Sequence, residues 1–161
     1  MRIRFLIFLV VSLISMRAWA QPKSAGEYTY SCECMGTEAD GSETILAWGN
    51  GRNRLDAAEQ AKKNAVQEIL FNGIKEGKGG CSLRPLISEV NARLKHEVYF
   101  NEFFDDKGPY MNFVSLKDER IDDKITRDRQ KGRKSVNNSV VVRVLRSELK
   151  KQLIKDNILK P

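Results

Sequence analysis

Three cysteines, a single histidine and one dense run of basic side chains are the residues of this chain best suited to chemistry. Cys32 and Cys34 lie two apart, and Cys81 follows much later. On a strand, Cys32 and Cys34 share a face with diverging Cβ atoms, so a bond between the two is disfavoured. In an oxidising compartment the better pairing is Cys32 or Cys34 with Cys81, which closes a loop of nearly fifty residues. Chain entropy credits such a loop with about 4 kcal/mol before strain. The simpler reading makes all three cysteines small apolar core residues. An odd count leaves at least one thiol over in either case.

His96 is the only histidine, and Cys32 with Cys34 lacks the Cys-x-x-Cys spacing of structural zinc sites. Cys81 with His96 would in principle make a thiol nucleophile and its base; nothing local supports the pair, and an exposed helical histidine is simpler. No cofactor is implied. Gly49-Asn50-Gly51 precedes a helix start, where a phosphate can sit. The dinucleotide fingerprint needs a third glycine, and position 54 is arginine. A sharp turn with close packing explains these glycines better. Gly77-Lys78-Gly79-Gly80 lacks the Ser or Thr and the earlier glycine of a phosphate loop, and reads as a flexible connector.

Six basic residues, Lys124, Arg127, Arg129, Lys131, Arg133 and Lys134, stand against one acid, Asp128. With Gly132 at a hairpin tip they form a candidate site for an anionic partner. The alternative is a solvated charge run, partly neutralised by Asp118, Glu119, Asp122 and Asp123. Tyr99, Phe100, Phe103, Phe104, Tyr110 and Phe113 are concentrated in one stretch and suit a core between helix and sheet, with one or two rings left for a partner surface. Asn137-Asn138-Ser139 matches the glycosylation triplet, but a central strand would hide it.

The elements that must position these residues follow from periodicity. Tyr28, Tyr30, Cys32 and Cys34 alternate as a strand. Ala39-Asp40-Gly41-Ser42 is turn chemistry, and a second strand runs from Thr44 to Trp48. Asn53 caps a helix over about 54–72, with Ala58, Ala61, Ala65, Ile69 and Leu70 on one face and Asn72-Gly73 as its stop. Its alanines let it press tightly on the sheet. Pro85 starts a second helical stretch, with Leu86, Val90, Leu94, Val98, Phe100, Phe103 and Phe104 as its apolar face, a break near 95 and an end by Asp106. Met111 to Leu116 has strand character. Val136 to Leu145 is a strand whose Val140-Val141-Val142 suits an interior place in the sheet. Ser147 caps a short final helix with Leu149, Leu153 and Ile154 inward. The expected class is α+β: two layers, a mostly antiparallel sheet with helices packed on one face, in the order β-β-α-α-β-β-α.

Upstream of all this, Arg2 and Arg4 precede the apolar run Phe5–Ile14, which ends towards Ala18-Trp19-Ala20. That is the pattern of a secretory signal over residues 1–20. The run is shorter than the roughly 20 apolar residues of a membrane span. A disordered leader over 21–26 and a single domain over 27–161 are expected. The formal charge of +7 falls to +4 once Arg2, Arg4 and Arg17 leave with the signal, 25 basic residues against 21 acidic. Such a balance does not call for nucleic acid, and no second apolar segment suggests a transmembrane anchor.

Trp48-Gly49-Asn50-Gly51 followed by Ala58, Ala61 and Ala65 on a helix resembles a module of exported bacterial envelope proteins. These include surface lipoproteins and a domain of the flagellar assembly protein T. The Phe100-x-x-Phe103-Phe104 and Leu149-x-x-x-Leu153 stretches are similar to secreted proteins of Gram-negative bacteria. The resemblance implies a helix-on-sheet module of the envelope, without an active site to carry over. The anchoring cysteine of the lipoproteins is missing here. The sequence therefore points to a non-enzymatic periplasmic or secreted protein. It would be a binding or assembly module contacting another envelope protein or an anionic envelope component. The alternatives are a small secreted hydrolase or thiol-dependent enzyme, using Cys81 or the Asp118–Asp123 carboxylates, and a purely structural subunit.

Overall fold

The structure is a computed structural model that describes residues 32–117 and 136–160. The signal and leader, Tyr28 and Tyr30, the Asp118–Asp123 carboxylates and the basic run from Lys124 to Lys134 lie outside the described residues. Among the described residues the fold is α+β, with five strands in one sheet and four α-helices.

Strands β1 (Cys32–Thr37) and β2 (Glu43–Gly51) form an antiparallel hairpin with a bulge between Cys34 and Gly36. The turn between them is held by Asp40, whose carboxylate accepts from both the backbone and the hydroxyl of Ser42. Helix α1 (Arg54–Phe71) follows, and the Asn53 side chain accepts the Asp56 N–H at 2.9 Å, as its cap position requires. A two-residue strand β3 (Glu76–Gly77) comes next. Then come α2 (Ala92–Lys95), α3 (Glu97–Phe103), a 3-10 turn over Pro109–Phe113, β4 (Val114–Leu116), β5 (Val136–Val144) and α4 (Arg146–Lys155).

The strand order is β3-β1-β2-β5-β4. β1–β2, β2–β5 and β5–β4 pair antiparallel, whereas β3 pairs parallel to β1. The sheet is therefore mixed, which corrects the expected mostly antiparallel one. The element order also departs from β-β-α-α-β-β-α, because β3 intervenes and the second helical stretch is split. The 77–80 segment is not a flexible connector. Its glycines let it lie directly on β1, since a Cβ on Gly77 would stand 2.4 Å from the Cys34 carbonyl oxygen.

The core lies between α1 and one face of the sheet. Ile45, Ala47, Val140 and Val142 alternate onto that face, as period two requires. Ala57, Ala61, Ala65, Val66, Ile69 and Leu70 meet them from the helix and are fully buried. β5 lies between β2 and β4, the interior place its three consecutive valines suggest.

Pro85 does not start a helix. The N–H groups of Leu86 and Ile87 bond instead to the carbonyls of Ile69 and Leu70, which the last turn of α1 leaves unpaired. That pins the segment in an irregular conformation, and helix begins only at Ala92. His96 ends α2 and begins α3, close to the expected break. Val90, Leu94 and Val98, expected on the apolar face, are exposed at 83, 71 and 73%. The Met111–Leu116 segment is divided evenly, its first three residues in the 3-10 turn and its last three in β4. Ser147 is not the cap of the final helix, because β5 runs almost directly into it and Leu145 occupies that position, its N–H bonded to the Phe113 carbonyl. Leu149 and Leu153 are buried as expected.

A part-buried ion pair, with Glu43 buried and Arg146 partly exposed, ties the final helix to the sheet. The Glu43 carboxylate faces the Arg146 guanidinium at 3.8 Å and accepts the Ser82 N–H at 2.9 Å. Arg146 donates in turn to the Arg84 carbonyl. One pair thus joins β2, α4 and the segment that carries Cys81.

Candidate functional site

Cys34 and Cys81 form a disulfide, with Cα atoms 5.7 Å apart. The choice between Cys32 and Cys34, open in the sequence, is set by the β1–β3 register, which places Cys34 beside Gly77. The Cys81 N–H also points at the Cys34 sulfur. Cys81 is therefore not a thiol, which removes the nucleophile from the Cys81–His96 reading. Cys32 remains a buried free thiol. Burial pushes its pKa up to about 12, with the carboxylates of Glu68 and Glu76 adding to the effect. Only the thiolate is nucleophilic, so Cys32 is inert in the folded chain. An unfolded thiol ionises near 9.0, whereas the folded one keeps its proton to about 12. Between those values the unfolded chain binds fewer protons, so this group lowers stability as pH rises through that window. Iodoacetamide at about pH 8 is expected to leave the native protein unlabelled and to modify Cys32 once urea unfolds the chain. Native labelling at the rate of an ordinary cysteine would contradict the burial.

A cleft of about 580 Å³ opens where β2 turns into α1. Gly49 and Gly51 create the turn by letting the helix come very close. A Cβ on Gly49 would stand 2.1 Å from the Ala57 carbonyl oxygen, and one on Gly51 would stand 2.4 Å from the Ala57 nitrogen. These glycines serve packing, the simpler of their two sequence readings. One wall of the cleft is the α1 surface carrying Asp56, Glu59 and Lys63. The facing wall comes from Asp106, Lys107, Tyr110 and Met111.

Most charges in this cleft are already matched. Arg52 bonds Asp56 at 2.9 Å, and Lys63 bonds Asp106 at 2.9 Å while lying over the Tyr110 ring. Lys62 reaches Glu59 at 2.5 Å, and the Tyr110 hydroxyl donates to the other oxygen of Glu59 at 3.2 Å. The hydrogen bond from Lys63 holds the Asp106 carboxyl below the usual carboxylate range. Burial, and then the Glu59 charge, push the Tyr110 hydroxyl well above its ordinary value. Tyr110 therefore stays protonated and acts as a donor. Among the described residues, Lys107 is the lining cation with no ion-pair partner. Its backbone is left-handed, at φ 64°, a conformation a lysine rarely adopts. The lining is balanced, Arg52, Lys63 and Lys107 against Asp56, Glu59 and Asp106, and leaves Lys107 and the Tyr110 side as polar groups that could meet a ligand.

Other candidates settle into structural roles. His96 sits at the junction of α2 and α3, and no group of three or more His, Cys, Asp or Glu among the described residues is placed to hold a metal ion. Asn137 is paired to the Asn50 side chain and Asn138 is fully buried, so the glycosylation triplet lies inside an interior strand. Phe100, Phe103 and Tyr110 are buried, while Tyr99, Phe104 and Phe113 are partly buried against them. No helix among the described residues is long and apolar enough to cross a membrane. Sequence reasoning missed Lys107 and Asp106, which read only as the end of a helix; the one signal was a lysine directly before Gly-Pro. No protein-family model, curated protein sequence or solved structure matches the chain.

Proposed function

We propose that this chain is a non-enzymatic, exported envelope protein. It would act as a binding or assembly module whose cleft at the start of α1 receives an acidic group of another envelope component. The observation that carries the reading is the cleft itself, where neighbouring charges neutralise one another and Lys107 stands uncommitted on a left-handed backbone. Lys107 is the third residue of a turn closed by the Gly108 N–H on the Asp105 carbonyl at 2.9 Å, which holds its left-handed backbone and fixes where the side chain leaves the chain. Export is supported by the Cys34–Cys81 disulfide, a bond typical of oxidising compartments. The signal-like residues 1–20 and the resemblance of Trp48–Gly51 with its alanine-rich helix to envelope modules support it further. The basic run from Lys124 to Lys134 would extend the same preference for anionic partners.

A photo-crosslinking residue at Met111, on the rim of the cleft, tests this in intact cells. A discrete adduct is expected from the envelope fraction, with the chain beginning at Gln21. Lys107→Asn removes the charge while tolerating the left-handed backbone, and should abolish the adduct. The same crosslinker at Val90 should not produce it. A cytosolic product that retains Met1, or adducts indifferent to Lys107, would overturn the proposal.

A further inference from the structure

A second cavity, of about 200 Å³, lies between α3, the 3-10 turn and α4. It is smaller than the roughly 300–1,000 Å³ of pockets for drug-sized ligands. It has room for a single functional group on a short carbon stem. Its walls include the rings of Tyr99, Phe103 and Phe113, which stack at centroid spacings of 5.9 and 6.1 Å along the series. Its polar lining includes two carboxylates, Glu102 and Asp156, and among the described residues no Lys, Arg or His lines it.

The Asp156 carboxylate is aimed. The Tyr99 hydroxyl donates to one oxygen at 2.7 Å, and the Gln152 amide donates to both oxygens at 2.9 and 3.0 Å. Three neutral hydrogen bonds orient the group and leave acceptor capacity on its oxygens, which together offer about four lone-pair sites. Neither Asp156 nor Glu102 has an ion-pair partner among the described residues, although the surface carries lysines at 150, 151, 155 and 160. Glu33, Glu68, Glu76, Glu97 and Asp105 also lack an ion-pair partner among the described residues; what sets Asp156 and Glu102 apart is that both line one cavity with an aromatic wall and no cation in its lining. Burial first, and Asp156 second, raise the Tyr99 pKa, so its hydroxyl stays a donor to the carboxylate.

We propose that this pocket binds a primary alkylammonium group, supplied by a lysine side chain of a partner or by a free small amine. The rings give the carbon stem an apolar wall, and Asp156 and Glu102 accept from the ammonium. This assignment is independent of the cleft at the start of α1, because the two cavities share none of their described lining residues.

Titration of the full chain with n-butylammonium, followed by NMR of the Tyr99, Phe103 and Phe113 rings, tests it. Saturable shifts with a dissociation constant in the range of about 1–20 mM are expected. The neutral isostere n-butanol should bind at least about tenfold more weakly, because a charged hydrogen bond is lost. Asp156→Asn keeps an oxygen acceptor for Tyr99 and should weaken butylammonium by about tenfold; Glu102→Gln, at an exposed position, should weaken it less. Nα-acetyl-lysine N-methylamide distinguishes the sources: binding equal to butylammonium assigns a lysine side chain, and exclusion assigns a free amine. Equal shifts with butanol, no saturation at all, or butylammonium binding unchanged in both variants would overturn the assignment.

Discussion

Replacing Cys34 and Cys81 together by alanine is expected to lower the unfolding free energy by about 4 kcal/mol. The bridge spans a sequence separation of 47 residues, and that span contains β2, all of α1 and β3. Without it, the unfolded chain regains the entropy of an open loop while the folded chain keeps most of its contacts. Alanine fits the site because both cysteines are buried among apolar neighbours. The double change is the right one, since altering Cys81 alone would leave Cys34 and Cys32 as free thiols. In urea the midpoint should fall, and the slope should rise because the uncrosslinked unfolded chain exposes more surface. Stability on this scale is a large share of the 5–15 kcal/mol typical of a domain. An unchanged midpoint would mean that the bridge does not form in the folded protein.

That bridge also marks the limit of what the sequence reveals. Helix α1 is legible because its alanines recur at helical spacing between an Asn cap and an Asn-Gly stop. β5 is legible because three consecutive β-branched residues suit a strand flanked on both sides. The pairing of Cys81 is legible only to the level of two candidates, because Cys32 and Cys34 occupy the same face of β1. Choosing between them requires β3, whose two residues carry no periodicity and lie in a glycine-rich stretch. The same tertiary strand turns the sheet from antiparallel to mixed.

The 85–98 segment fails for a different reason. Its apolar spacing is helical, but the N–H groups of Leu86 and Ile87 are taken by the open end of α1. A hydrogen-bonding demand from another element outweighs a local propensity. Helix then starts late and in a phase that leaves Val90, Leu94 and Val98 outside. The candidate cleft is least legible of all. Its polar contacts join Arg52, just before the Asn53 cap, to Asp56 in α1's first turn, which spacing suggests, but Lys63 to Asp106 and Glu59 to Tyr110 across distant segments, which spacing cannot suggest.

Gly49→Ala is expected to cost about 3 kcal/mol or more, the upper range for overpacking. The new methyl would stand 2.1 Å from the Ala57 carbonyl oxygen and 2.4 Å from the Ala61 nitrogen. Both are backbone atoms inside α1, so no rotamer change relieves the contact; the whole helix must move off β2. Moving it loosens Ala57, Ala61 and Ala65, which are fully buried and have no side-chain length with which to follow. Gly36→Ala supplies the control, since a Cβ there meets nothing within 4 Å; its change should stay within about 0.5 kcal/mol, as at ordinary surface positions. Urea titrations of both variants measure the contrast. The displacement should also reach the cleft, because Glu59 and Lys63 ride on α1 while Tyr110 and Asp106 do not. Any Gly49→Ala protein that remains folded should therefore lose the Met111 adduct along with its stability. A Gly49→Ala chain as stable as the Gly36→Ala control would show that α1 does not seat against β2, and the wall that presents Lys63 to Asp106 would go with it.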